Sequence, residues 1–197
     1  SYYKTQRPTG PIEYIVVGLG NPGKEYENTR HNAGFMALDY ICEKENISLK
    51  KLQFNALCND GMIGGKRAFI MKPQTYMNKS GESVILAMQY YKIPIENVVV
   101  LCDDITLDVG KLRIRRKGSD GGQKGLKNII RLGGDTFPRV RLGIDPKPHP
   151  QMDLADWVLS KLTPADMAKL NELYPNVHDA VRLILSGDID KAMNLYN

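Results

Sequence analysis

Tyr14-Ile15-Val16-Val17-Gly18-Leu19-Gly20-Asn21-Pro22-Gly23 carries the reading on which the fold turns. Its first four residues form an unbroken apolar run, as a strand covered on both faces requires. The glycine-rich stretch that follows releases the chain into a polar loop. Outward from this unit the pattern changes period. Phe35, Leu38, Ile41 and Cys42 recur at helical spacing. Residues 53–72 are rich in strand formers around Gly64-Gly65, which predicts a hairpin. Val84, Ile85, Ala87, Met88 and Tyr91 predict an amphipathic helix that stops near Pro94. Residues 98–101 read as a second fully apolar strand, followed by the carboxylates Asp103 and Asp104. A half-exposed strand is expected over 111–116, a helix over 125–132 and another strand over 139–144. Thr163-Pro164-Ala165-Asp166 is a helix start, with an N-cap, a proline at the first position and an acid in the first turn. Helices fill the C-terminus, with a break expected at Pro175. Strands alternating with helices imply an α/β domain with a mixed, largely parallel, twisted sheet flanked by helices and a helical C-terminus. A single domain is expected over 12–197, preceded by a flexible polar arm over 1–11.

An apolar fraction of 42% and a charged fraction of 25% describe an ordinary soluble globular protein. No apolar run approaches the roughly 18–20 residues needed to cross a bilayer, and the N-terminal stretch has no secretory apolar core. Cys42, Cys58 and Cys102 are widely spaced and never in a C-x-x-C pair. That spacing argues against a disulfide framework and a zinc site, and points to the cytoplasm. Charge is concentrated. Residues 111–141 hold ten basic residues against two acidic ones, a net of +8, leaving −3 for the rest of a chain with formal charge +5. Such a segment is either a solvated basic face or the footprint of a polyanion.

Gly18 to Gly23 satisfies G-x-G-x-x-G directly after a strand, the pattern of a dinucleotide site. In that site the glycines open a helix that receives the pyrophosphate. Here Pro22, Gly23 and a polar run delay the helix until about His31, and Asp39, the acid at the right separation, falls inside a predicted helix. The glycines are better read as a tight turn with close backbone approach. The chain has no G-x-S-x-G elbow, P-loop or H-E-x-x-H motif. Of its three histidines, His178 lies in an amphipathic C-terminal helix and His149 in a proline-rich loop. His31 stands at a helix start among Asn, Thr and Arg, where a neutral imidazole can serve as a base or as a cap. Water activated by histidine is the simplest hydrolytic chemistry left. Asn21 and Asn78 fall near predicted element ends, where amides also cap helices and form turns.

Gly18 to Gly34 reads G-L-G-N-P-G-x-x-Y-x-x-T-R-H-N-A-G, and Lys72-Pro-Gln-Thr-Tyr-Met-Asn-Lys-Ser-Gly81 follows. Then come Asp103, Gly121-Gly-Gln-Lys-Gly-Leu-Lys127 and Arg139-Val-Arg-Leu-Gly143. In order and spacing these segments resemble the bacterial peptidyl-tRNA hydrolases over nearly the whole chain. The resemblance implies a monomeric α/β enzyme, without cofactor or metal, that hydrolyses the ester between a peptide and the ribose of tRNA. It matches His31 to the general base, Asp103 to the carboxylate that holds it, Asn21 to the residue that checks the substrate, and Asn78 to a contact for substrate and oxyanion. Tyr26 and Tyr76 match positions lining the tRNA 3′ end, and Met77 shapes the pocket. Arg113 and Arg115 alternate along one predicted strand and share a face, with Arg141 on a later strand nearby, as a clamp for tRNA phosphates.

The chain departs from the family at Gln123-Lys124, where a His-Asn pair is usual. Lys124 has donors but no acceptor and cannot hold a water as asparagine does; Gln123 is the candidate to supply the missing amide to the pocket. The competing function is a non-catalytic RNA-binding protein on the same fold. Retention of Asn21, His31, Asn78 and Asp103 together favours the enzyme.

Overall fold

The computed structural model describes residues 7–197, so the first six residues of the expected arm lie outside the described residues. At its centre is a seven-stranded sheet of β1 (Tyr14–Gly18), β2 (Lys51–Gln53), β3 (Ala56–Ile63), β4 (Lys66–Pro73), β5 (Val98–Asp104), β6 (Leu112–Arg115) and β7 (Arg139–Gly143), in the spatial order β2-β3-β4-β1-β5-β7-β6. β4, β1, β5 and β7 run parallel, and an antiparallel ladder closes each margin. The helices are α1 (Ala33–Lys44), α2 (Ser80–Tyr91), α3 (Lys124–Gly133), α4 (Leu154–Val158), α5 (Pro164–Leu185) and α6 (Ile189–Tyr196). This is the α/β architecture expected from the alternating pattern.

The apolar run of β1 serves two cores because alternate side chains leave opposite faces of a strand. Val16 packs with α1 and α5, whereas Ile15 and Val17 pack with α2 and α3. Gly64 and Gly65 both take positive φ, 57° and 79°, and so form the two-residue turn joining β3 to β4. The glycines after β1 serve packing. A Cβ on Gly34 would lie 2.3 Å from the carbonyl oxygen of Leu101 and 2.7 Å from that of Leu19. Only glycine lets the start of α1 rest directly on the ends of β1 and β5. Asp39 is spent in an ion pair with Lys72 at 2.8 Å, not aimed at a ribose.

One expectation is corrected. α5 runs unbroken through Pro175. A proline inside a helix costs roughly 3 kcal/mol, but α5 buries Leu170, Leu173, Tyr174, Val177, Val181, Ile184 and Leu185 along one stripe. At about 1.5–3 kcal/mol per buried side chain, that stripe outweighs the proline. The chain between β7 and α5 contains the short helix α4. Among the described residues, no helix is long and apolar enough to cross a membrane.

Candidate active site

β1 and β5 are parallel neighbours, with Gly18 paired to Leu101, so their carboxyl ends open at the same level. In α/β sheets that is where ligands gather. The loop after β1 carries Asn21, and β5 ends on Asp103 and Asp104. A 3-10 turn over Arg30–Asn32, just before α1, lays His31 over the same edge. A cleft of about 380 Å³ results, lined by Asn21, Tyr26, His31, Tyr76, Met77, Asn78, Asp103, Gln123, Lys124 and Arg141 among others. Ten of the twelve side chains singled out from the sequence therefore meet in one hollow. Arg113 and Arg115 do not reach it.

His31 Nδ1 lies 2.8 Å from Asp103 Oδ2, and both side chains are buried, at 8% and 2% exposure. An ionised carboxylate only accepts, so Nδ1 carries the proton and Nε2 keeps its lone pair. Asp104 serves the backbone instead, its Oδ1 accepting from the N–H and hydroxyl of Thr106 and closing a turn. The Asn21 amide is oriented just as firmly. Its Oδ1 accepts from the Met77 backbone N–H at 2.7 Å, which leaves its Nδ2 donors for the cleft. Asn32 clamps the Asn21 backbone from behind, accepting from its N–H and donating to its carbonyl. Tyr76 holds a positive φ of 63°, a conformation that costs a side-chain-bearing residue of order 1–3 kcal/mol. The kink aims the next residue's N–H at Asn21 and sets the half-exposed Tyr76 ring 6.1 Å from Tyr26, edge to face. Asn78 stands exposed at the rim, in the 3-10 turn Met77–Lys79.

Gln123 is not free to serve the pocket. Its Oε1 caps α3 by accepting from Leu126 N–H at 2.8 Å, and its Nε2 donates to Asp103 Oδ1 at 3.0 Å. The expectation that its amide replaces the family asparagine is overturned, because both ends of that amide are engaged. Lys124 lies exposed on the cleft wall as the first residue of α3. A cation at the positive end of a helix costs about 0.3–1 kcal/mol unless an anion joins it.

The basic face is real but unequal. Arg113 pairs in register with Arg141, and Arg115 with Arg139, so all four side chains project from one face of the β6–β7 ladder. Arg139 is wholly buried and donates to the carbonyls of Phe137, Gly118, Ser119 and Asp135. Burial, then the Arg141 charge, lowers it to about 10, still a cation at neutral pH. Arg139 thus holds the 118–119 loop, leaving Arg113, Arg115 and Arg141 to face outward. Arg141 is half-buried, with its Nη2 on the carbonyl of Ser119 and its Nε without a partner.

Sequence reasoning missed Arg30, whose guanidinium donates to Ser160 Oγ, Ile144 O and Asp166 Oδ2 and lies 3.9 Å over the Trp157 ring. It ties the turn of His31 to α4, which forms the opposite wall of the cleft. Nothing in spacing or composition announces these contacts, since the partners stand 114 to 136 residues away. The other histidines are placed as expected: His178 pairs with Glu45 at 2.9 Å and His149 is exposed. Burial pushes the Cys102 thiol up, so the cysteine preceding Asp103 is no nucleophile at neutral pH. Among the described residues, no three His, Cys, Asp or Glu side chains converge as a metal site would require.

Known proteins share this sequence and this shape. The sequence profile of the family described as Peptidyl-tRNA hydrolase matches residues 15–197. A peptidyl-tRNA hydrolase of Lachnospira eligens is 49% identical over 185 residues, covering 93% of this chain and 99% of that protein. One from Clostridium perfringens is 45% identical, covering 93% and 96%. The crystal structure of the Acinetobacter baumannii peptidyl-tRNA hydrolase superposes with a TM-score of 0.87 at 32% identity, covering 95% of this chain and 96% of its own. With the profile spanning all of the chain from residue 15 onward and relatives far above 30% identity, the chain belongs to the peptidyl-tRNA hydrolase family.

Proposed function

We propose that His31 is the general base of this peptidyl-tRNA hydrolase and that the cleft between β1, β5 and α4 holds the peptidyl end of the tRNA. The observation that carries the reading is the buried His31–Asp103 pair at 2.8 Å, beside two amides in a cleft at the strand ends. Water gives a proton to Nε2 of His31 while its oxygen attacks the ester carbonyl. The oxyanion that forms is met by the amide donor of Asn78 at the rim. Collapse of this intermediate breaks the bond to the ribose oxygen, which takes the proton back from the imidazolium. Peptide acid and tRNA leave. Tyr26 and Tyr76 offer ring faces and edges to the unpaired 3′ bases. Lys124 meets a backbone phosphate near the scissile ester, which relieves its unfavourable place on α3. The cleft is complete within one chain, which supports a monomer with 12–197 as the catalytic domain, and membership of a translation-linked family supports a place in the cytoplasm. Release of tRNA from N-acetyl-aminoacyl-tRNA tests the activity. Intact substrate after prolonged incubation would favour the non-catalytic RNA-binding reading.

Asn21 selects the substrate by donating from Nδ2 to a neutral peptide carbonyl, a contact that a free ammonium cannot make. In Asn21→Asp the carboxylate keeps the acceptor for Met77 N–H and turns a negative oxygen to the cleft. The preference for blocked over unblocked aminoacyl-tRNA is expected to narrow by about tenfold, the scale of one charge-assisted hydrogen bond. Measured kcat/KM ratios that match the parent would place selection elsewhere.

Arg113 and Arg115 are a phosphate clamp outside the chemistry. Phosphate contacts position a nucleic acid without reading it. The double substitution Arg113→Ala with Arg115→Ala is expected to weaken all tRNAs alike and to lower the log–log salt slope by about 0.7–0.9 per contact. kcat at saturation, and turnover of a peptide esterified to a short 3′ fragment, should hold. A fragment that loses as much as full-length tRNA would put these arginines in the catalytic pocket.

A further inference from the structure

The hydrogen bonds behind His31 converge on Asp103, and a backbone amide sets the orientation of the Gln123 side chain that meets it. Leu126 N–H can only donate, so the Gln123 oxygen must face it, at 2.8 Å. The Gln123 Nε2 therefore faces the other way, with one N–H for Asp103 Oδ1 at 3.0 Å and one for Met77 Sδ at 3.1 Å. Asp103 accepts on Oδ1 from Gln123 and on Oδ2 from His31 Nδ1. Gln123, Asp103 and His31 are 7%, 2% and 6% exposed, and the bonds joining His31 Nδ1, Asp103 and Gln123 are made between protein groups. We propose that Gln123 is a positioning residue: its donor, aimed by the first turn of α3, fixes which way the side chain at position 103 faces and so how His31 is held. This rests on the reading of His31 as the base, since only the Nδ1–H tautomer leaves Nε2 to accept a proton from water.

A mere helix cap at Gln123 would need the oxygen alone, and the two roles separate by exchanging donor for acceptor. In Asp103→Asn the Gln123 donor draws the new amide oxygen toward itself. The new NH₂ then faces His31 Nδ1, which must give up its proton, and the imidazole switches to the Nε2–H tautomer. Adding Gln123→Glu keeps an oxygen for Leu126 N–H but presents an acceptor to position 103. The amide there turns over, its oxygen faces His31, and the Nδ1–H tautomer returns. Charge is conserved across the site, because the carboxylate and the amide have traded places.

The test combines ¹⁵N NMR of the imidazole nitrogens, which reads the tautomer directly, with turnover of N-acetyl-aminoacyl-tRNA. The three histidines of the chain keep the spectrum tractable. Expected are an Nδ1–H signature in the parent, Nε2–H in Asp103→Asn, and Nδ1–H again in Asp103→Asn/Gln123→Glu. Turnover should recover by about tenfold or more over the single variant, a fraction of what a placed base contributes. Asp103→Asn/Gln123→Leu, which offers neither donor nor acceptor and leaves the amide at 103 unpinned, should recover less on both readouts. The proposal is overturned if Asp103→Asn keeps the parent tautomer, if Gln123→Glu fails to restore it, or if Gln123→Leu restores it equally. The tautomer signature needs no turnover. A restored signature without any hydrolysis would therefore uphold the relay and count against His31 as the base.

Discussion

Replacing His31 with alanine is expected to lower kcat for peptidyl-tRNA by about 10²–10⁴-fold, the contribution typical of a placed general base. KM should change little, because the tyrosines, Lys124 and the arginine face proposed to bind tRNA are untouched. The substitution leaves Asp103 Oδ2 without its partner, and an orphaned buried acceptor costs about 1–3 kcal/mol. The gap opens onto the cleft, so water can enter and limit that cost. A Tm lower by several degrees is the corresponding stability effect, at about 2–4 °C per kcal/mol for a chain of this size. The comparison must be made per folded molecule at a temperature where both proteins are folded. His31→Ala with parental kcat would remove the histidine mechanism altogether, since His149 and His178 lie away from the cleft.

Asp103→Asn is the second large effect, also expected near 10²–10⁴-fold in kcat. Two losses coincide. The imidazolium formed as water is deprotonated no longer faces a negative charge, and the Gln123 donor turns the new amide so that its NH₂ opposes His31. The substituted side chain is nearly isosteric, so Tm should move far less than activity does. Residues that act as a unit are non-additive. His31→Ala combined with Asp103→Asn should therefore be no slower than the worse single variant by more than a few-fold. Independent, multiplying losses in the double variant would show that Asp103 contributes to catalysis by a route other than His31.

The strand ends and the helix over which the site is built were legible because periodicity reports burial directly. Val98 to Leu101 could only be a covered strand, and so Asp103 could only emerge at its carboxyl end. The helix through Pro175 was not legible. A proline is a local signal, whereas the apolar stripe that overrides it gains its energy from α1 and the sheet. The role of Arg139 was likewise hidden. In the sequence it is one of ten cations, and only the loop at 118–119 decides that its donors are consumed by carbonyls. Arg30 shows the same limit, its partners lying on segments far along the chain.

By itself the sequence determined the α/β class, the emergence of Asn21 and Asp103 at the carboxyl ends of apolar strands, and the one histidine set among site-like residues. These follow from residue types at short range and from motifs whose spacing is preserved along one chain. The tertiary structure alone decided how each group is oriented. An amide has a donor end and an acceptor end, and an imidazole has two nitrogens, but a letter in a sequence records neither direction. Those directions come from fixed backbone donors: Met77 N–H turns the Asn21 amide toward the cleft, and Leu126 N–H sets the chain through Gln123 and Asp103 to His31. Both donors reach the site only when the turn before α2 and the first turn of α3 pack against the ends of β1 and β5.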